Sequence, residues 1–255
     1  MTKETEAFTR LLDIMGELRE KCPWDKVQTI DSLRHLTIEE TYELSDAILK
    51  GDMQEIKKEL GDILLHIVFY AKIASETNTF DIADVIHAIC EKLIIRHPHI
   101  YGDTIVSGEE EVKQNWEKIK LKEGNTSVLA GVPNSLPALL KAYRMQEKAR
   151  GIGFDWEKPE QVWEKVEEEM QEFKEALHES PERAEDEFGD LMFALINYAR
   201  FKNINPETAL ERTNQKFTRR FQYLEQQAKE AGKQLGDMTL AEMDVFWNEA
   251  KTKGL

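Results

Sequence analysis

At 255 residues, with 41% apolar and 33% charged side chains, the chain can build one large core or two smaller ones with solvated outer faces. A formal charge of −15 argues against a nucleic-acid binder, which needs a net basic surface, but permits a small phosphate ligand bridged to the protein by cations. Cys22 and Cys90 are too few for a disulfide scaffold and lack metal-ligand spacing, and the longest apolar stretch, 63–71, is too short for a bilayer and contains His66, so a soluble cytoplasmic protein with no membrane partner is expected.

In chain order, residues 4–20 place Phe8, Leu11, Leu12, Met15 and Leu18 on one helical face, and Cys22-Pro23-Trp24-Asp25 breaks that helix. A second helix is expected over 29–49, with Leu33, Leu36, Ile38, Leu44 and Ile48 among its apolar positions. Gly51-Asp52 ends it, and a third covers 53–74. A fourth runs over 81–96 and is closed by Pro98 and Gly102, and Ser107 reads as the N-cap of a helix holding Trp116. Residues 121–137 are rich in Gly, Pro, Ser and Asn and read as a linker. Helical pattern resumes over 138–150 and stops at Gly151-Ile152-Gly153-Phe154-Asp155-Trp156. Two helices joined at Ser180-Pro181 fill 165–199, and the chain ends in helices over 206–233 and 239–251. Period-two alternation is never sustained, so the fold class expected is all-α.

The chain repeats itself. Ile38-Glu39-Glu40-Thr41-Tyr42-Glu43-Leu44 resembles Glu167-Glu168-Glu169-Met170-Gln171-Glu172-Phe173, and Glu59-Leu60-Gly61-Asp62 matches Glu187-Phe188-Gly189-Asp190. Lys92, Leu93 and Arg96 fall opposite Lys216, Phe217 and Arg220; Trp116 falls opposite Trp247, and Trp24-Asp25 opposite Phe154-Asp155. A duplicated helical domain accounts for this, with an N-terminal copy over 1–120, a linker over 121–136 and a C-terminal copy over 137–255.

Each copy carries the pattern E-E-x-x-E, a turn, then E-x-x-D. The ordinary reading of Glu-rich helices is a solvated acidic face. Against it stand the apolar neighbours of these acids, the duplication, and Gly61 and Gly189. A glycine inside a helix costs roughly 1 kcal/mol against alanine and suggests close helix approach or a ligand. Carboxylates spaced three apart share a helix face, and oxygen ligands without His or Cys favour a hard cation, Mg²⁺ or Mn²⁺. His66 lies in an apolar run and reads as a core histidine. Lys216 and Arg220 sit one turn apart beside Phe217 and Phe221, either pairing with nearby acids or facing a phosphate. Lys165 either pairs with Glu169 or reaches a phosphate. Trp247 and Trp116 either stack on a base or fill a core, and the Trp24 and Phe154 segments are either binding loops or chain reversals.

Taken together, CPWDKVQT, both acidic sets, GVPNSLPALLKAYRMQEKA, GFDW and NQKFTRRF resemble the MazG family of nucleoside triphosphate pyrophosphohydrolases in its two-domain form, over nearly the whole chain. The resemblance implies an all-α, dimeric, Mg²⁺-dependent enzyme that converts nucleoside triphosphates to monophosphate and pyrophosphate. It implies metal ligands Glu169, Glu172, Glu187 and Asp190, with a secondary set Glu40, Glu43, Glu59 and Asp62 in the first copy. It implies nucleotide contacts from Lys165, Val166, Glu167, Glu168 and Glu169, from Glu187 and Asp190, from Lys216, Phe217, Thr218, Arg219 and Arg220, and from Trp247. On this reading Mg²⁺ neutralises the triphosphate and acidifies a water, Glu168 or Glu169 orients or deprotonates that water, and Lys216 and Arg220 stabilise the departing pyrophosphate. The copies differ: Asn214 stands two residues before Lys216 where the first copy has Cys90, and His97-Pro98 ends the first copy's basic helix after Arg96. The second copy is therefore expected to carry most of the activity. The alternatives are a non-catalytic Mg²⁺- and nucleotide-binding regulatory module and a hydrolase restricted to dUTP or non-canonical nucleotides.

Overall fold

A computed structural model describes residues 2–122 and 127–255; residues 123–126 of the expected linker lie outside the described residues. The described residues contain helices and turns but no strand, so the fold is all-α. The helices are α1 (Lys3–Lys21), α2 (Ile30–Lys50), α3 (Met53–Ser75), α4 (Ile82–Arg96), α5 (Pro98–Tyr101), α6 (Glu109–Lys122), α7 (Ala138–Gly151), α8 (Pro159–Ala176), α9 (Pro181–Phe201), α10 (Pro206–Glu230) and α11 (Leu240–Thr252). None is long and apolar enough to cross a membrane.

The boundaries follow from local chemistry. Thr29, Asp81, Ser180, Asn205 and Thr239 each accept a backbone N–H of the first turn of the helix that follows, satisfying donors that have no partner inside the helix. Pro159, Pro181 and Pro206 open α8, α9 and α10, where their missing N–H costs nothing. Between α2 and α3, Gly51 adopts φ 69° and Asp52 caps the next helix through Gln54 and Glu55. Helix α4 ends at Arg96 as expected, and Pro98 then starts the extra turn α5, for the same N-terminal reason.

The chain divides into two compact units, Met1–Ile105 and Val106–Leu255. Helix α6, expected to close the first copy, packs against α7 of the second unit. In the first unit, Met15 of α1, Leu33 of α2 and Val68 and Phe69 of α3 form the buried centre, with Phe8, Leu11, Leu12 and Leu36 packed on it. Not all the expected apolar positions turn inward: Leu18, Ile38 and Ile48 are exposed. In the second unit, the α8–α9 hairpin closes on Val166, Leu191 and Ala194, with Phe173 and Tyr198 alongside. Fully burying a side chain the size of Val166 contributes about 1.5–3 kcal/mol to holding together the hairpin that carries the acids. Leu224 and Ala228 of α10 and Ala250 of α11 are also buried, and α10 packs against α11.

Candidate active site

The α8–α9 hairpin brings together acids that the sequence holds far apart. One carboxylate oxygen from each of Glu169, Glu187 and Asp190 lies within 4.8 Å of the others. Glu169 and Glu187 are buried beside the apolar seam, because the residues flanking them on α8 and α9 supply that seam; Asp190 is exposed. Glu172 is exposed and outside this triad, although its charge still acts on Glu187. Burial pushes the Glu187 carboxyl above its ordinary pKa. Arg183 opposes that shift, and the charges of Glu172, Asp190 and Glu169 add to it. Glu187 Oε1 forms an ion pair with Arg183 at 2.6 Å, whereas Oε2 is buried with no hydrogen-bond partner. A buried carboxylate oxygen aimed into a cluster of like charge is costly unless a cation completes it. By donor type, all-oxygen and anionic, the triad fits a hard divalent cation.

Of the two roles expected for Lys165, the structure shows the pairing with Glu169. Its ammonium pairs with Glu168 at 2.8 Å and Glu169 at 2.6 Å, which raises its pKa, and it also lines the cavity described below. Val166 is fully buried against Leu191 and Ala194. Glu167 faces away and accepts the Trp163 indole N–H at 3.0 Å. The first unit holds a comparable cluster, with oxygens of Glu40, Glu43 and Glu59 within 4.8 Å and Asp62 outside it. Glu59 Oε1 pairs with Lys58 at 2.8 Å, and its Oε2 is buried without a partner. Burial, then the charges of Asp62, Glu43 and Glu59, raise the pKa of Glu40. Around Gly61 and Gly189 an added Cβ would meet nothing within 4 Å, so neither glycine serves close helix packing within this chain.

Beside the second triad opens a cavity of about 540 Å³, within the range of small-molecule sites. Glu169, Asp190 and Lys165 line it together with Met145, Gln146 and Ala149 of α7, Phe193, Ala194 and Asn197 of α9, and Phe154 and Trp156 of the preceding loop. That loop is clamped: the buried Arg200 guanidinium donates to both Asp155 carboxylate oxygens, one of them at 2.9 Å, and also to Asn197 Oδ1. The Phe154 segment is thus a binding-loop candidate, whereas Trp24 in the first unit is simply exposed.

The basic helix does not join this site within the chain. Lys216, Phe217, Thr218, Arg219, Arg220 and Trp247 are all absent from the cavity lining. Trp247 packs on Phe217 at 5.2 Å between ring centroids, and Arg220 donates to the Leu255 carbonyl at 2.7 Å with its guanidinium 5.9 Å from the Trp247 ring. Thr218 bonds back to the Asn214 carbonyl at 3.0 Å, while Lys216 and Arg219 are exposed and make no ion pair among the described residues. Sequence reasoning missed Gln146, Asn197 and Arg200. The available signal was Gln146 itself, three residues from both Tyr143 and Ala149 and so a polar side chain on the apolar stripe of its helix.

Comparison with known proteins places these features in a family. The model of the MazG nucleotide pyrophosphohydrolase domain matches residues 28–101 and 157–224, one segment in each half. The chain is 49% identical over 251 residues to the uncharacterized protein YabN of Bacillus subtilis, covering 96% of this chain and 51% of YabN, so it spans about half of that relative's length. It is 44% identical over 249 residues to the nucleoside triphosphate pyrophosphohydrolase/pyrophosphatase MazG of Thermotoga maritima, covering 96% of this chain and 95% of that protein. It is 39% identical over 252 residues to the nucleoside triphosphate pyrophosphohydrolase of Escherichia coli, covering 95% and 96%. With two domain segments matched and relatives aligned end to end, this chain belongs to the MazG nucleotide pyrophosphohydrolase family.

Proposed function

We propose that the chain hydrolyses nucleoside triphosphates to nucleoside monophosphate and pyrophosphate at the second triad. The observation that carries this is the continuity of two features: Glu169 and Asp190 belong both to the carboxylate cluster and to the lining of the apolar cavity. A triphosphate at the acids and a nucleoside in the cavity is the arrangement that uses both. Glu169, Glu187 and Asp190, with Glu172 at the edge, would hold Mg²⁺. Bound there, the ion supplies charge neutralisation for the phosphates and acidity for a water. The orphaned Glu187 Oε2 supports this assignment.

The chain's own residues supply the rest. Water adds to the α-phosphorus, the bond from that phosphorus to the bridging oxygen of the β-phosphate breaks, and pyrophosphate leaves with the bond's electron pair. Glu168, outside the triad but tied to it through Lys165, takes the proton of the attacking water, while Glu169 is occupied in the cluster. Lys165 holds both acids in place and offers its charge to the phosphates. The exposed Lys216 and Arg219 reach the departing pyrophosphate from a second copy of the chain, in a homodimer of the kind the family resemblance implies.

Incubation with ATP and Mg²⁺ tests the reaction: AMP and pyrophosphate are expected, whereas ADP and phosphate, or no turnover of any nucleoside triphosphate including dUTP, contradicts it. Mixing Lys216→Ala with Glu187→Gln chains tests the shared site. Recovery of activity toward a quarter of wild type is expected, and a mixture no better than its components refutes sharing.

A further inference from the structure

One buried polar atom beside the cavity has no task in the reaction. Gln146 is 7% exposed on α7, between Met145 and the Glu147 that turns away. Its Nε2 donates to the Phe193 carbonyl at 2.8 Å. That bond fixes the amide: turned over, Oε1 would face the carbonyl, and two acceptors would oppose each other. Oε1 is thereby committed to the other side, where it is buried and unpartnered, in a residue that lines the cavity. Buried acceptors are rarely left unpaired, so one here asks for a donor that arrives with the ligand.

The surroundings say what kind of donor. Met145, Ala149, Phe193 and Ala194 give the cavity apolar walls, and Phe154 and Trp156 give it aromatic rims. Of the charged groups in the lining, Arg200 and Asp155 are paired with each other, which leaves Glu169, Asp190 and Lys165 to meet the phosphates. A flat ring with apolar faces and an N–H on its edge fits such a chamber; a sugar hydroxyl array or a further phosphate does not. Resting on the function proposed above, we infer that Gln146 Oε1 reads the nucleobase, accepting a hydrogen bond from a base N–H and setting preference among nucleoside triphosphates. Gln146 is a specificity-determining residue on this reading. Sites built to bond a ligand N–H reject analogues lacking it, because the site's own buried group is then stranded.

Adenine offers a single kind of N–H donor, its exocyclic amino group, so ATP and purine riboside 5′-triphosphate, which carries hydrogen in its place, form the decisive pair. Wild-type protein is expected to favour ATP by about tenfold or more in kcat/KM, chiefly through KM. Gln146→Met, which keeps the bulk and removes the acceptor, should bring the two substrates within about twofold of each other. Gln146→Asn, which withdraws the amide by one methylene, should do the same and serves if the methionine variant fails to fold. Equal use of the two substrates by wild type, as expected if Oε1 merely holds a water, overturns the inference, as does an undiminished preference in either variant. Failure to form AMP and pyrophosphate from any nucleotide would instead overturn the function on which the inference rests.

Discussion

The two acidic hairpins, α2–α3 and α8–α9, carry almost the same letters and differ in what lies beside them. Both gather three carboxylates within 4.8 Å and strand one buried glutamate oxygen, on Glu59 and on Glu187. Glu169 and Asp190 of the second lie in the wall of a large apolar cavity, whereas two cavities of the first unit, of about 490 and 150 Å³, include none of Glu40, Glu43, Glu59 and Asp62. The substitutions that separate them are traceable. At the constant offset of 128 that relates α3 to α9, Ala194 and Asn197 correspond to His66 and Phe69. His66 is buried and bonded to Thr37 at 2.9 Å, and Phe69 is part of the Met15 core. Where the second copy has small or polar side chains and space, the first has a ring. A carboxylate cluster alone suffices to hold a cation, but a nucleotide also needs room.

The comparison can be broken most directly at the stranded glutamates. Glu187→Gln should lower kcat about a thousandfold, a typical cost of losing one charged group at such a centre, while Glu59→Gln stays within about twofold; steady-state release of pyrophosphate reads both. Glu172→Ala and Glu43→Ala should split in the same direction, and the reverse ranking would put the active site in the first unit.

Next in size is the loop clamp. Asp155→Ala leaves the buried Arg200 charge unanswered and should cost about 3 kcal/mol in denaturant unfolding. Asp25→Ala, at the matching place, should cost less than about 1 kcal/mol, because Arg19 there binds the Asp25 backbone carbonyl and the Glu76 carboxylate instead.

Cavity shape gives the third contrast. Ala194→His writes the first copy's residue into the second and should raise KM for ATP about tenfold while leaving metal-dependent thermal stabilisation intact, since the triad is untouched. A KM within twofold of wild type would mean that His66 is not what closes the first copy.

A smaller effect tests the electrostatics. Because burial raises the Glu187 pKa, its ionised form is disfavoured in the folded protein. The stability it offers is present below the unfolded value near 4.5 and is lost as pH rises through the raised folded value. Metal-free Glu187→Gln should therefore be more stable than wild type at neutral pH, with the gap closing toward pH 4.5 in thermal melts. The smallest expected change is at Gly189. With nothing within 4 Å of its missing Cβ, Gly189→Ala should gain up to about 1 kcal/mol, as should Gly61→Ala, measured at concentrations where the chain is monomeric.

Much of this was legible in the sequence, and the limits have physical reasons. Helix positions follow from caps, prolines and apolar periodicity, all local, so Ser180-Pro181 and Gly51-Asp52 mark their turns without help. The acidic triad is legible because spacing of three puts Glu187 and Asp190 on one face. The cavity is not, because it depends on what is absent: the small Ala194 and the gap left where α7 and the Phe154 loop meet α9. Gln146 reads as one more polar residue until its Oε1 is seen to lack a partner. The basic run from Lys216 to Arg220 shows a different limit, since a persuasive pattern on one helix carries no information about which carboxylates it faces.

The central claim is that one copy, not both, makes a nucleotide site. Equilibrium titration of the full chain with the non-cleavable α,β-methylene analogue of ATP in the presence of Mg²⁺ counts those sites directly. The account predicts one nucleotide bound per chain, abolished by Glu187→Gln and unaffected by Glu59→Gln; two nucleotides per chain, or one that is lost only with Glu59, would contradict it.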